Sequence, residues 1–343
     1  MRLFFPLALL VMLGASCTDD APTTVSVNQL FWINHKDSEM PVLLSGNEKS
    51  NYVVLAIQGG NFASAINNLH YFFKGTLEKN FLVAYWDQRY TGLSLNRNIP
   101  ADIPLAQFTE DALLVVRELK ARYPEKKLIL FGQNSGGLLV SQFITNAAHQ
   151  GLYDGWIIQN GITTNGFERF QLLRTDLIAR AQRLQLNGNT AWRDSLVWMQ
   201  QLTFNATTRN RALERRFNAL VATLWEEDPN IADFGPFLQE PPYFNSADKA
   251  RINTNGTLPI QRVIENHLYF FNQDSQINAI ARPGLLLWGS LDSAFPLSYA
   301  NAFKDKLGTR ATLVVYPDAG QEAWGTHTQR YAGDVTAFIE RIN

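Results

Sequence analysis

The sequence predicts an α/β protein with a mostly parallel central sheet flanked by helices and an inserted helical cap. Three observations carry that expectation. Short apolar runs of strand length alternate with helical patterns, as a parallel sheet covered on both faces requires. Residues 127–143, KLILFGQNSGGLLVSQF, read as a buried strand, a sharp turn and an amphipathic helix. The alternation breaks between residues 162 and 281 and resumes at 283.

In chain order, residues 40–45 and 52–57 are candidate strands about a polar turn at Gly46-Asn47-Glu48. The second leads into Gln58-Gly59-Gly60-Asn61, where glycines let the backbone turn sharply or approach a ligand. Residues 81–86 form the next buried strand, followed by Asp87-Gln88-Arg89-Tyr90-Thr91-Gly92-Leu93-Ser94. Residues 108–122 read as a helix with Leu113, Val116 and Leu119 near one side, stopped before Pro124. The strand at 128–131 ends at Gly132, and Gln133-Asn134-Ser135 turns into a helix with Leu139, Val140, Phe143 and Ile144 at helical spacing. A strand at 155–159 closes the first part.

Within the break, Phe170, Leu173, Leu177, Ala181 and Leu184 repeat at helical spacing. Pro236, Pro241 and Pro242 punctuate an aromatic stretch holding Phe234, Phe237, Tyr243 and Phe244. Trp192, Trp198 and Trp225 also lie here, and such aromatics build a small core of their own or line a pocket beneath it. A strand at 283–289, a helix at 298–307, a strand at 311–316 and a helix at 330–342 complete the chain.

With 343 residues, 46% hydrophobic, the chain can bury a large core, and a formal charge of -1 gives no reason to expect an acidic partner. No basic stripe with interleaved aromatics suggests nucleic acid. At the N-terminus Arg2 precedes an apolar run, residues 3–13, too short to span a membrane. It ends in Leu13-Gly14-Ala15-Ser16-Cys17, which resembles a bacterial lipoprotein signal with its lipobox. That resemblance implies a signal peptide at 1–16, a lipidated Cys17, a tether at 17–27 and a location anchored by lipid in the cell envelope. The alternative is a general secretory signal with an incidental cysteine. Cys17 is the single cysteine, so no intrachain disulfide can form. Asp19-Asp20 reads as part of a solvated linker. Core segments at 28–161 and 282–343 then flank the cap at 162–281.

Strand, turn and helix around Gly132-Gln133-Asn134-Ser135-Gly136 have the layout of the nucleophile elbow, G-x-S-x-G. The chain from about residue 40 onward resembles the α/β-hydrolase fold, and within it the proline iminopeptidase-like branch. Gln58-Gly59-Gly60-Asn61 resembles that branch's His-Gly-Gly-Pro oxyanion turn. Asp87-Gln88-Arg89 with Gly92 and Ser94 resembles its Asp-Gln-Arg-Gly-x-Gly-x-Ser segment. Glu265-Asn266-His267 with Tyr269-Phe270 resembles a Glu-Asn-His-Tyr-Phe segment of the cap. Trp288-Gly289-Ser290-Leu291-Asp292 with Pro296 matches the strand that carries the catalytic acid. Asp318-Ala319-Gly320-Gln321 matches the turn that carries the catalytic histidine.

The same correspondence puts Asn134 at the nucleophile position, Gln321 at the histidine position and Gln58 at the histidine of the oxyanion turn. Asp292 retains the acid, and Gly59, Gly60, Gly132, Gly136 and Gly137 are all kept. An amide nitrogen delocalised into its carbonyl is a poor nucleophile, and a glutamine amide undergoes no protonation change near neutral pH. Loss of nucleophile or base in a working serine hydrolase costs about a million-fold in turnover. Asn134 nevertheless suits the strained elbow, because asparagine tolerates positive φ.

The backbone N–H groups of Ser135 and of Asn61 or a neighbour would still form an oxyanion-type cradle for a carbonyl or carboxylate. The expectation is therefore a catalytically degenerate homologue that binds a small molecule or peptide terminus, with no cofactor and no metal site. The plainer alternative is that the amides satisfy one another in a decayed site. Two rescues keep hydrolysis open: Ser135 as nucleophile in an elbow shifted by one residue, and His327 as the imidazole. Non-hydrolytic, lyase-type chemistry through Asp292 and the amides is a third possibility. By the same resemblance Glu265 would meet a substrate amine, against a solvated cap carboxylate. Arg89 more often ties loops together than binds substrate.

Overall fold

The computed structural model describes residues 26–59, 64–98, 100, 103–161, 163, 166–186, 192–205, 208, 210–226, 245–256, 267 and 269–342. Cys17, Gly60, Asn61, Glu265 and the proline-rich aromatic stretch lie outside the described residues.

Nine strands among the described residues make one sheet. They are β1 (Ser26–His35), β2 (Ser38–Asn47), β3 (Tyr52–Gln58), β4 (Leu82–Trp86), β5 (Leu95–Asn96), β6 (Lys127–Gln133), β7 (Gly155–Gln159), β8 (Gly284–Gly289) and β9 (Ala311–Tyr316). Their spatial order is β1-β2-β4-β3-β6-β7-β8-β9, with β5 paired to β2. β1, β2 and β4 pair antiparallel, and every pairing from β4 through β3 to β9 is parallel. The crossovers run through α1 (Asn68–Phe73), α2 (Leu105–Arg122), α3 (Ser135–Thr145) and α8 (Leu297–Leu307). Helices α9 (Ala323–Thr326) and α10 (Thr328–Glu340) follow β9.

The parallel strands are apolar on both sides, as strands covered on both faces must be. Leu55, Ile57, Leu130, Ile158 and Leu286 share one cluster with Val115, Val116 and Leu119 of α2 and Val140 and Phe143 of α3. Val54, Ala56, Ile129, Phe131, Ile157 and Leu285 share the opposite one with Leu69 and Phe73 of α1 and Val335 and Ile339 of α10.

Between β7 and β8 the chain leaves the sheet for α4 (Gly166–Leu186), α5 (Arg193–Gln201), α6 (Arg211–Glu226) and α7 (Ser246–Gly256). The sequence repeat in α4 is its buried stripe: Phe170, Leu173, Leu177 and Ala181 are all buried. They join Trp192, Leu196, Met199 and Phe217 and continue into the first core cluster, so the cap has no separate core among the described residues. Asn255 of α7 is buried and its Nδ2 donates to the carbonyls of Gly92 at 2.8 Å and Ser94 at 3.0 Å, which fastens this helix to the loop after β4.

Among the elements the structure adds to the sequence reading are β1, β5, α1 and α9. β1 begins at Ser26, so two residues assigned to the tether belong to the sheet. β5 is a two-residue bridge, and α1 is a six-residue helix.

Candidate functional site

In open parallel sheets ligands bind at the carboxyl ends of the strands, where crossovers diverge. Polar residues gather there in this chain. Gln58, Gln133 and Gln159 stand in register at the ends of β3, β6 and β7, and Asn134, Asn160 and Asp292 follow the ends of β6, β7 and β8.

Asn134 has φ 54° and ψ -120°, between the last residue of β6 and the first of α3. This is the apex of the elbow, a strained backbone conformation that persists where the surrounding structure enforces it. The turn is braced from below: Asn134 N–H donates to Gln159 O at 3.1 Å, and Asn134 O accepts from Gly137 N–H at 3.0 Å. Gly136 packs on the Ile57 carbonyl and Gly59 packs on the Ser135 and Gly136 nitrogens, so a Cβ at either glycine would collide with backbone. Ser135 is the first residue of α3 and does not occupy the apex. Its N–H belongs to the positive end of that helix, against which Gly59 packs.

Gln321 is brought to Asn134 by the loops after β8 and β9. Ser290 N–H donates to Tyr316 O at 3.0 Å and Leu291 N–H to Ala319 O at 2.9 Å, which zips the two loops together. Gln321 Nε2 then donates to Asn134 Oδ1 at 2.6 Å, with both residues buried. Gln159 supports the pair from beneath: its Nε2 donates to Gln321 O at 3.3 Å, and its Oε1 accepts from the Tyr331 hydroxyl at 2.8 Å.

Asp292 is buried in the loop after β8. Its Oδ1 accepts from the Ala294 N–H at 2.8 Å and the Phe295 N–H at 2.9 Å, and its Oδ2 accepts from Asn160 Nδ2 at 2.7 Å. Asn160 is fully buried with φ 40°, and its own Oδ1 accepts from Gly289 N–H at 3.3 Å. Sequence reasoning missed it, although Asn160-Gly161 straight after an apolar strand is a turn signal. Glu322 was missed as well. Burial, with Asp292 nearby, pushes its carboxyl up to about 8, and its buried Oε2 has no hydrogen-bond partner.

The other sequence candidates fall into supporting places. Gln58 O accepts from Gln88 Nε2 at 2.7 Å, and the buried Gln58 Oε1 is unpartnered. Arg89 pairs with Asp111 through Nε and through Nη2 at 2.6 Å, deep in the core, and His35 Nδ1 meets the same carboxylate at 2.7 Å. Arg89 thus ties the loop after β4 to α2 and β1. Asp87 is fully buried, held by Ser64 Oγ and the N–H groups of Ile66 and Leu93, and burial raises its carboxyl to about 6. His327 Nδ1 meets Thr326 Oγ1 at 2.9 Å and its ring lies beside Tyr316. His267 is half-buried. Among the described residues no group of three or more His, Cys, Asp or Glu could hold a metal ion.

The family profile described as serine aminopeptidase, S33, matches residues 49–232, more than half of the chain. The chain belongs to this family. The probable aminopeptidase YbaC of Bacillus subtilis is 29% identical over 104 residues, 30% of this chain and 32% of that protein, so the match spans about a third of that relative's length. Among solved structures, the proline iminopeptidase-related protein of Thermus thermophilus superposes with TM-score 0.59 at 19% identity, over 92% of this chain and 98% of that one. The proline iminopeptidase of Mycobacterium smegmatis gives 0.60 at 13% identity, over 91% and 98%. A membrane phospholipase A described as a bacterial virulence factor gives 0.59 at 16%, over 92% and 86%. These three establish the α/β-hydrolase fold.

Proposed function

We propose that this S33-family chain is a lipid-anchored cell-envelope protein that binds a small molecule or peptide terminus between core and cap without serine-hydrolase turnover. One observation carries the reading: the nucleophile and base positions are two amides hydrogen-bonded to each other at 2.6 Å. Neither amide titrates near neutral pH and neither offers an attacking hydroxyl or thiol, so acyl-enzyme chemistry has no starting group at the apex. What remains is recognition. The bond uses one carbonyl and one N–H of the pair and leaves Asn134 Nδ2 and Gln321 Oε1 to face a ligand that both accepts and donates. The α3 N-terminus adds N–H donors beside them.

A second reading is favoured by Glu322. A carboxyl that titrates near 8 beside Asp292 is a group suited to moving a proton. It would support lyase-type chemistry that needs no acyl-enzyme.

The test is calorimetry of the mature protein against a panel of short peptides, aminoacyl amides and esters, with product analysis of each mixture after prolonged incubation. Saturable heat with unchanged ligand supports the binding reading. Cleavage of amide or ester at enzymic rates overturns it, and a product of elimination or isomerisation moves the assignment to the second reading.

A further inference from the structure

β1 is an edge strand with two differently used faces. Phe31 and Ile33 point into the core beneath α2, where the Arg122 guanidinium lies 4.0 Å from the Phe31 ring centre. The alternate residues point the other way, and Leu30 and Trp32 there are 47% and 38% exposed. Register extends this face across the sheet. Leu30 lies opposite Leu43, Trp32 opposite Pro41 and Asn34 opposite Glu39, and Glu39 in turn lies opposite Leu95 of β5, which is 36% exposed. Paired residues share a side of the sheet, so Leu30 and Trp32 form an apolar strip along β1 on the same side as Leu95, from which Asn34 and Glu39 separate it.

The strand is also unguarded. Exposed edges are commonly blunted by charge or proline, and the ten residues SVNQLFWINH hold no Asp, Glu, Lys, Arg or Pro. A long uncharged edge with large apolar side chains on its free face calls for a cover.

Resting on the lipid-anchor reading above, we infer that this strip is the face the protein lays against the bilayer surface. The chain before it supplies the reason. Cys17, the proposed lipid carrier, precedes Ser26 by nine residues. Nine residues reach at most about 30 Å even when fully extended. β1 is therefore the element held nearest to the lipid. Tryptophan prefers the membrane–water interface, where its ring sits among the headgroups, and leucine adds apolar area. Arg97, 74% exposed after Leu95 and paired at the surface with Glu39, stands where an anionic headgroup would meet it. The sheet edge stays at headgroup depth, where water still satisfies its free N–H and C=O groups.

The test is hydrogen exchange read by mass spectrometry on the full-length lipidated protein, in vesicles of phosphatidylethanolamine and phosphatidylglycerol and in detergent. Flotation of the vesicles and the mass of the N-terminal peptide report the anchor separately. The expected result is exchange slowed roughly tenfold in peptides covering 26–35 and 93–98 on vesicles. Trp32→Glu and Leu30→Lys, both at exposed positions, are expected to float normally and lose that protection. Protein that floats with unchanged exchange in these peptides overturns the apposed face while leaving the anchor standing. Protection that appears in detergent and grows with protein concentration overturns it in favour of a second copy pairing along β1. An N-terminal peptide without lipid removes the anchor reading and this inference with it.

Discussion

Gln321 Nε2 donates to Asn134 Oδ1 at 2.6 Å, joining the loop after the last strand to the apex of the turn after β6, 187 residues earlier. In the proposed reading, this contact replaces the proton transfer from nucleophile to base. The surrounding brace is intact: the Asn134 N–H on Gln159 O, Gly59 and Gly136 packed without room for a Cβ, and Asp292 held by Asn160 and two backbone N–H groups.

That geometry predicts partial recovery of chemistry. The double variant Asn134→Ser/Gln321→His puts a hydroxyl and an imidazole on a braced apex, with Asp292 buried in the loop after β8. It is expected to hydrolyse an activated ester such as p-nitrophenyl acetate at least about a hundred-fold faster than either single variant, since triad members act as a unit. Equal rates in all three would mean that the apex geometry no longer supports attack.

Asn160 is expected to be structural through Asp292. Asn160→Ala places an alanine at φ 40° and removes the Asn160 hydrogen bond to Asp292 Oδ2, at an expected cost of about 2–4 kcal/mol. Asn160→Gly relieves the backbone strain and loses only the side-chain bonds, so it is expected to cost less. Urea denaturation midpoints of the two variants check the order.

Glu322 gives stability a pH dependence of known sign. Its folded carboxyl is raised to about 8 from an ordinary value of 4.5, so between those values the folded state binds the proton more tightly than the unfolded chain. Stability from this group is complete below about pH 4.5 and falls as pH rises toward 8. Asp87, raised to about 6 from 3.8, adds a smaller fall of the same sign between those two values. Glu322→Gln is expected to flatten the fall above about pH 6 and to leave the acid side unchanged, as read by denaturation midpoints at about pH 5, 7 and 9.

Asn255 fastens α7 to the loop after β4 through the carbonyls of Gly92 and Ser94. Asn255→Ala leaves those buried carbonyls short of a donor, at a cost of about 1–3 kcal/mol. Because the contact joins cap to core, the loss is expected as faster hydrogen exchange in 246–256 and 87–98, with exchange in β6 and β7 unchanged.

The strands that hold the site were legible because burial on both faces writes them as apolar runs: 155–159 and 311–316 read from sequence coincide with β7 and β9. The elbow was legible because its glycines are demanded by backbone contact. β1 was not, because Leu30 and Trp32 on its free face are as apolar as Phe31 and Ile33 on its buried one, which erases the period-two signal. Asn160 and Glu322 were hidden for a different reason. Their roles come from contacts with Asp292, more than a hundred residues away from Asn160, and no local pattern encodes a partner at that separation. Arg89 was legible as a structural tie rather than a substrate contact, but it joins the loop after β4 to Asp111 of helix α2 and not to another loop.

The apex of the turn after β6 carries Asn134 hydrogen-bonded to Gln321, and the proposed function leaves no activated serine there. Fluorophosphonate labelling of the purified protein is the decisive measurement, with the adduct mapped by mass spectrometry and Ser135→Ala as control. No adduct is expected on protein that is folded by circular dichroism. An adduct at Ser135 that disappears in the control would contradict it, because it would put an activated serine one residue past the apex that Asn134 now holds.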